Sequence, residues 1–199
     1  MKLCVITARN ERFTHEDIAG FAIEGGADCV QFRKKDGSTR DAVELACRIK
    51  GIVSGRATYI VDDRIDVALA CGADGVHIGR EDMPLSLARA ICPDFMIGYS
   101  VDNPKEAVEA ENVGANYLGA GAVFATKNKP EEKPIGIEGL RKICESVTIP
   151  VIAIGGITIE NVREVIDAGA TGVAVISAIA DARDPAESVK AFMKILGSY

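Results

Sequence analysis

The chain has 199 residues, a net charge of −6 and 48% apolar side chains, enough hydrophobic material for one domain over 1–199. The acidic balance, with no basic run beyond the lysines at 127–133, excludes nucleic acid and an anionic membrane surface as electrostatic partners. Aromatic residues make up only 5% and tryptophan is absent, so small aliphatic side chains must fill the interior.

Apolar runs and helical periods alternate from the start. The run at 2–8 is strand-length and lacks a cleavage site, which predicts a first strand and no secretory leader. Thr14 then caps a predicted helix near 15–25, which His15 opens at the surface. Strands follow at 29–33, 58–63, 75–79, 96–100, 117–122, 151–155 and 173–177. Helices between and after them fall near 39–53, 65–71, 85–92, 104–113, 137–146, 159–168 and 185–196. Asp102 or Asn103 caps the helix that begins at Pro104, and Asp184 caps the one that begins at Pro185. No apolar stretch approaches the ~20 residues of a spanning helix. The six cysteines form no C-x-x-C pair and mostly lie inside apolar patterns, which predicts reduced, buried thiols in a cytoplasmic protein.

A Gly-Ala pair runs into an apolar stretch four times, at Gly26-Ala27, Gly72-Ala73, Gly114-Ala115 and Gly169-Ala170. The interval is roughly 40 to 55 residues, about two βα units. Four copies of βαβα give eight βα units, and eight close a barrel. The count, and the absence of an early G-x-G-x-x-G turn, favour a single (β/α)₈ TIM barrel over a doubly wound sheet.

In such a barrel the site lies at the C-terminal ends of the strands. Polar groups converge on that rim: Gln31 to Lys35 after strand two, Asp62-Asp63-Arg64 after strand three, His77 to Asp82 after strand four, and Ser100 after strand five. Strand six runs into Thr126-Lys127-Asn128-Lys129 within a long polar connection, 125–136, the kind of loop that often binds ligands. Asp63 and Asp82 suit a hard cation such as Mg²⁺, or else form rim salt bridges with Arg33, Arg64 or Arg80. Gly155-Gly156 and Ile176-Ser177 sit where these barrels bind phosphate, although a tight turn alone also requires glycine. His77 falls on the inward face of its strand, where a hydrogen-bonded interior histidine is expected rather than a catalytic one. No nucleophile elbow and no zinc spacing occur.

The ordered segments VQFRKK at 30–35, IVDDR at 60–64, ADGVHIGREDMP at 73–84, IGYS at 97–100, GAGAVFATKNK at 119–129, IPVIAIGGI at 149–157 and GVAVISAI at 172–179 resemble the signatures of the thiamine-phosphate synthase family. The family joins a pyrimidine diphosphate to a thiazole phosphate and releases pyrophosphate. The resemblance implies that Gln31, Arg33 and Lys35 hold the pyrimidine diphosphate and that Asp63 and Asp82 ligate Mg²⁺. It implies further that Asp62 and Ser100 face the pyrimidine, and that Thr126, Asn128 and Lys129 come from the strand-six loop, with Lys129 on the pyrophosphate. Gly156, Ile176 and Ser177 would cradle the thiazole phosphate. Arg33, Lys35 and Lys129 would then be the catalytic cations, and the partners small molecules, with room for a homo-oligomer.

The chain departs from the family pattern at four places. Asp62 stands for Asn, Arg80 for Gln, Ala122 for Pro, and Asn128 for the second Thr of a Thr-x-Thr-Lys loop. A related thiazole tautomerase branch shares the later motifs but places His where Ala122 stands, and it tends to lack QFRxK and the acidic pair. A non-catalytic phosphate-ligand barrel is a third alternative.

Overall fold

The computed structural model describes residues 1–127 and 133–198. Its strands are β1 (Leu3–Ile6), β2 (Cys29–Phe32), β3 (Thr58–Asp62), β4 (Gly75–Ile78), β5 (Met96–Val101), β6 (Tyr117–Ala120), β7 (Val151–Ile154) and β8 (Gly172–Val175). The helices are α1 (His15–Glu24), α2 (Thr39–Val53), α3 (Ile65–Cys71), α4 (Leu85–Ile91), α5 (Pro104–Val113), α6 (Gly136–Ser146), α7 (Val162–Asp167), α8 (Ser177–Ala180) and α9 (Pro185–Leu196). Neighbouring strands are parallel throughout, and β8 pairs with β1, so the sheet closes into a (β/α)₈ TIM barrel.

The Gly-Ala repeat has a structural reason. Its four glycines have φ of 84°, 65°, 105° and 104°, the left-handed region that ends a helix at no side-chain cost. The residue two places later then joins its strand to the preceding one. Tyr59 N–H donates to Asp74 Oδ2 at 2.7 Å, Ile97 N–H to Asn116 Oδ1 at 2.8 Å, and Val151 N–H to Thr171 Oγ1 at 3.3 Å. In each case the same residue's own N–H donates back to that strand residue's carbonyl. Asp28 does the equivalent for the N–H groups of Lys2 and Leu3, at 2.7 and 3.1 Å. One side chain per repeat thus satisfies N–H groups at the N-terminal end of the barrel.

Side chains alternate along each strand. The outward set, including Leu3, Val5, Val30, Val61, Val76, Ile97, Leu118 and Val173, packs with the helices into the main core. Each such side chain removed from water contributes about 1.5–3 kcal/mol, so this layer supplies most of the hydrophobic stabilisation. The inward set at the lower level is smaller: Cys4, Cys29, Ile60, Tyr117, Ile152 and Ala174 close the floor.

Three expectations need correction. The last strand stops at Val175, and Ser177 opens the single turn α8, too short to show a helical period in sequence. His15 is half-buried rather than on the surface: Nδ1 lies 2.9 Å from Thr7 Oγ1 and the ring meets the edge of Phe32. Of the free cysteines, Cys4, Cys29 and Cys92 are buried, Cys71 and Cys144 are half-buried and Cys47 is exposed. Thr14, Asn103 and Asp184 cap their helices, each accepting from the N–H three residues on, as Ser38 does for α2.

The strand-joining residues carry a testable consequence. Asn116→Ala strands the Ile97 N–H and should cost about 1–3 kcal/mol in urea unfolding, whereas Thr171→Ala, with its longer bond, should cost less than about 1 kcal/mol. Loss of stability at neither position would contradict the account.

Candidate active site

The inward residues at the upper level do not fill the barrel. They line a cavity of about 630 Å³ at the C-terminal ends of the strands. Gln31, Arg33, Lys35, Asp62, Asp63, Asp82, Ser100, Thr126, Gly156, Ile176 and Ser177 all line it, although they come from seven different strand ends. Asn128 and Lys129 lie outside the described residues.

The rim is built around acids. Asp62, the last residue of β3, accepts from Gln31 Nε2 at 2.9 Å and faces Arg33 Nε at 3.3 Å. Burial, and then the neighbouring charge of Asp63, push its carboxyl up to about 7 despite Arg33 and Lys35. Asp63 follows with φ 61°, rare for a residue with a side chain, and its N–H donates to His77 O at 2.7 Å. Lys35 Nζ sits 3.2 Å from Asp63 Oδ2. Asp82 accepts the Gly79 N–H at 2.8 Å, and burial together with contact to Asp63 raises its carboxyl above the ordinary range.

The arginines proposed as alternative partners are engaged elsewhere. Arg64 binds Asp66 at 2.5 Å and Thr39 at 2.9 Å, and Arg80 turns to Asp102 and Glu106 beside α5. Arg33 pairs with Asp62 rather than with Asp63 or Asp82. Asp63 and Asp82 therefore face each other with Lys35 as the cation beside them, an oxygen donor set that fits a hard divalent ion. Among the described residues no three His, Cys, Asp or Glu are placed to hold a metal ion by themselves, so water and ligand oxygens would complete such a shell.

The glycines after β7 have reasons of their own. Gly155 and Gly156 have φ of 100° and 65°, and a Cβ on Gly156 would meet Ala125 O at 2.7 Å. Their smallness is thus required by the neighbouring 122–125 segment before any ligand is considered. His77 is an interior histidine held by hydrogen bonds, as the alternation predicts: Nε2 is 2.9 Å from Ser100 Oγ and Nδ1 is 3.2 Å from Tyr117 Oη. The sequence reading missed Tyr117. Its place two residues before Gly119 on β6 was the available signal.

Fold and site together define a (β/α)₈-barrel enzyme. The thiamine monophosphate synthase family profile matches residues 3–179. The chain is 49% identical over 197 residues to a thiamine-phosphate synthase of Pyrococcus abyssi, covering 98% of this chain and 95% of that one. It is 48% identical over 197 residues, with the same coverage, to the thiamine-phosphate synthase of Pyrococcus furiosus. A solved thiamine phosphate pyrophosphorylase from Pyrococcus furiosus superposes with a TM-score of 0.94 at 46% identity, covering 99% of this chain and 96% of that one. The chain belongs to the thiamine monophosphate synthase family. Its activity is thiamine-phosphate synthesis, a transferase reaction on small molecules. Among the described residues no helix is long and apolar enough to cross a membrane.

The raised carboxyl of Asp62 sets a sign for stability. The unfolded chain loses this proton near 3.8 and the folded one near 7, so the folded state binds the extra proton between those values. Metal-free stability should therefore fall as pH rises through that window and level off above it. Asp62→Asn should abolish this loss, gaining about 1–3 kcal/mol over wild type at pH 8 and much less at pH 4. A gain independent of pH, measured by urea unfolding in EDTA, would contradict the assignment.

Proposed function

We propose that the enzyme joins hydroxymethylpyrimidine diphosphate to thiazole phosphate by a dissociative substitution with Mg²⁺, releasing pyrophosphate. The supporting observation is that every described residue to which the family resemblance gives a role lines one cavity. In this reading Gln31, Arg33 and Lys35 bind the diphosphate, and Asp62 and Ser100 meet the pyrimidine. Gly156, Ile176 and Ser177 receive the thiazole phosphate, and Thr126 adds a substrate contact from the strand-six loop. Lys129 and Asn128 are assigned from sequence alone.

The chemistry asks little of proton transfer. The bond between the pyrimidine methylene carbon and the diphosphate oxygen breaks, and both electrons leave with the pyrophosphate. The thiazole nitrogen then donates its lone pair to the methylene cation, forming the carbon–nitrogen bond. That nitrogen carries no proton, so no general base is required, in keeping with the lack of an acid–base pair among the proposed roles. Arg33 and Lys35 stabilise charge as it develops on the leaving group, in a cavity where cations are already held in place. Asp63 and Asp82 would hold the Mg²⁺, which would supply further charge neutralisation on the pyrophosphate oxygens. Ile176, Ile154 and the apolar floor limit water near the cation.

The tautomerase alternative is disfavoured by Ala122, which lines the cavity where that branch places His, and by the presence of both acids. We also infer a cytoplasmic location, supported by six free cysteines.

Pyrophosphate release should require both substrates and Mg²⁺. Asp63→Ala and Asp82→Ala should each lower turnover at least ~100-fold, about 2.7 kcal/mol of barrier. Asp62→Asn should lower the KM for the pyrimidine diphosphate or leave activity intact. Near-normal turnover in EDTA, or damage by Asp62→Asn as great as by Asp63→Ala, would overturn these roles.

A further inference from the structure

Below the acidic rim, side chains from β4, β5 and β6 form one hydrogen-bonded row. Tyr117 Oη lies 3.2 Å from His77 Nδ1, and His77 Nε2 lies 2.9 Å from Ser100 Oγ. The barrel wall is cut away for the two rings. A Cβ on Gly119 would sit 2.7 Å from His77 Cε1, and one on Gly98 would collide with the Tyr117 ring and with His77 Nδ1. Two glycines in strand interiors, where glycine is otherwise unfavourable, thus make room for this row.

We propose that Tyr117 and His77 are positioning residues that fix the Ser100 hydroxyl as a hydrogen-bond donor to a ring nitrogen of the bound pyrimidine. The proposal rests on the reading of Ser100 as a pyrimidine contact. The direction of the row follows from its buried end. Tyr117 is 7% exposed, and burial holds its phenol well above the ordinary range, so it keeps its proton. A buried O–H must donate, and the partner the structure gives it is His77 Nδ1. A neutral imidazole has one donor and one acceptor. With Nδ1 accepting, Nε2 carries the proton and donates to Ser100 Oγ. The serine's own proton is then left for the cavity that Ser100 lines.

This direction has two consequences. Nε2 cannot accept a proton from Ser100, so the pair is not a nucleophile and its base. It also complements Asp62, whose ionised carboxylate can only accept. When ionised, Asp62 can accept from the amino group of an aminopyrimidine, while Ser100 donates to a ring nitrogen.

Two measurements test the proposal. In ¹⁵N-edited NMR of the wild-type protein, His77 should show the Nε2–H tautomer. In steady-state kinetics with both substrates, Tyr117→Phe should raise the KM for pyrimidine diphosphate about three- to tenfold, the worth of a neutral hydrogen bond, with the KM for thiazole phosphate little changed. In a Ser100→Ala background Tyr117→Phe should have no further effect on that KM. His77→Gln, which can still donate an N–H to Ser100, should retain more pyrimidine affinity than His77→Leu. An Nδ1–H tautomer would overturn the proposal through the hydrogen-bond row, whatever the kinetics. Ser100→Ala leaving the pyrimidine KM unchanged would overturn it through the reading on which it rests. Equal effects of Tyr117→Phe on both substrates would reduce the row to a packing role.

Discussion

Each strand of this barrel is so short that it turns essentially two side chains inward, and the enzyme is organised by that constraint. The lower positions, such as Cys4, Cys29, Ile60 and Ile152, meet across the axis and close the floor. The upper positions, such as Gln31, Asp62 and Ser100, cannot meet, because they surround a cavity. Alternation therefore separates stability from chemistry by a single pleat. The outward neighbours Val30, Val61 and Val76 lie in the helix-packed core and bear the hydrophobic load. Polar residues at the upper inward positions face the cavity rather than a packed interior, although burial still penalises the ionised Asp62 carboxylate.

The charges at the barrel mouth are arranged for a ligand more than for the free protein. Asp62, Asp63 and Asp82 crowd together, while Arg33 and Lys35 offset them only in part. Burial first, and the neighbouring charge of Asp63 second, raise the carboxyls of Asp62 and Asp82. A hard cation held by Asp63 and Asp82 would offset the remaining negative charge beside Lys35, which lies 3.2 Å from Asp63. Stored electrostatic conflict of this kind is a route to preorganisation, because the side chains need not reorganise when charge develops. The positive φ of Asp63 belongs to the same economy, as it reverses the chain within one residue and sets the carboxylate beside Asp82.

The barrel and most of its site were legible in the sequence because both depend on local periodicity. The Gly-Ala repeat marked the helix ends, the strand ends placed Gln31, Asp62 and Ser100 on the rim, and the period of two turned His77 inward. What the sequence hid were properties of neighbours. Asp74 and Asn116 follow Gly-Ala pairs, and only strand adjacency shows them bonded to Tyr59 and Ile97. Gly156 suggested a phosphate cradle, yet its packing on Ala125 is a separate reason for its size. Tyr117 sits at the first residue of β6, where a large aromatic reads as ordinary core until His77 is seen across the strand gap. The turn at Ser177–Ala180 is too short to leave a period at all.

The central proposal is that Asp63 and Asp82 together hold a divalent cation. Calorimetric titration of Mg²⁺ into the protein with pyrophosphate present, repeated in two buffers of different ionisation enthalpy near pH 6.5, tests it most directly. The account predicts binding that releases a proton from the raised Asp62 carboxyl, with both the binding and the release lost in Asp82→Ala. Mg²⁺ binding of unchanged strength in Asp82→Ala, or binding with no proton release in wild type, would contradict it.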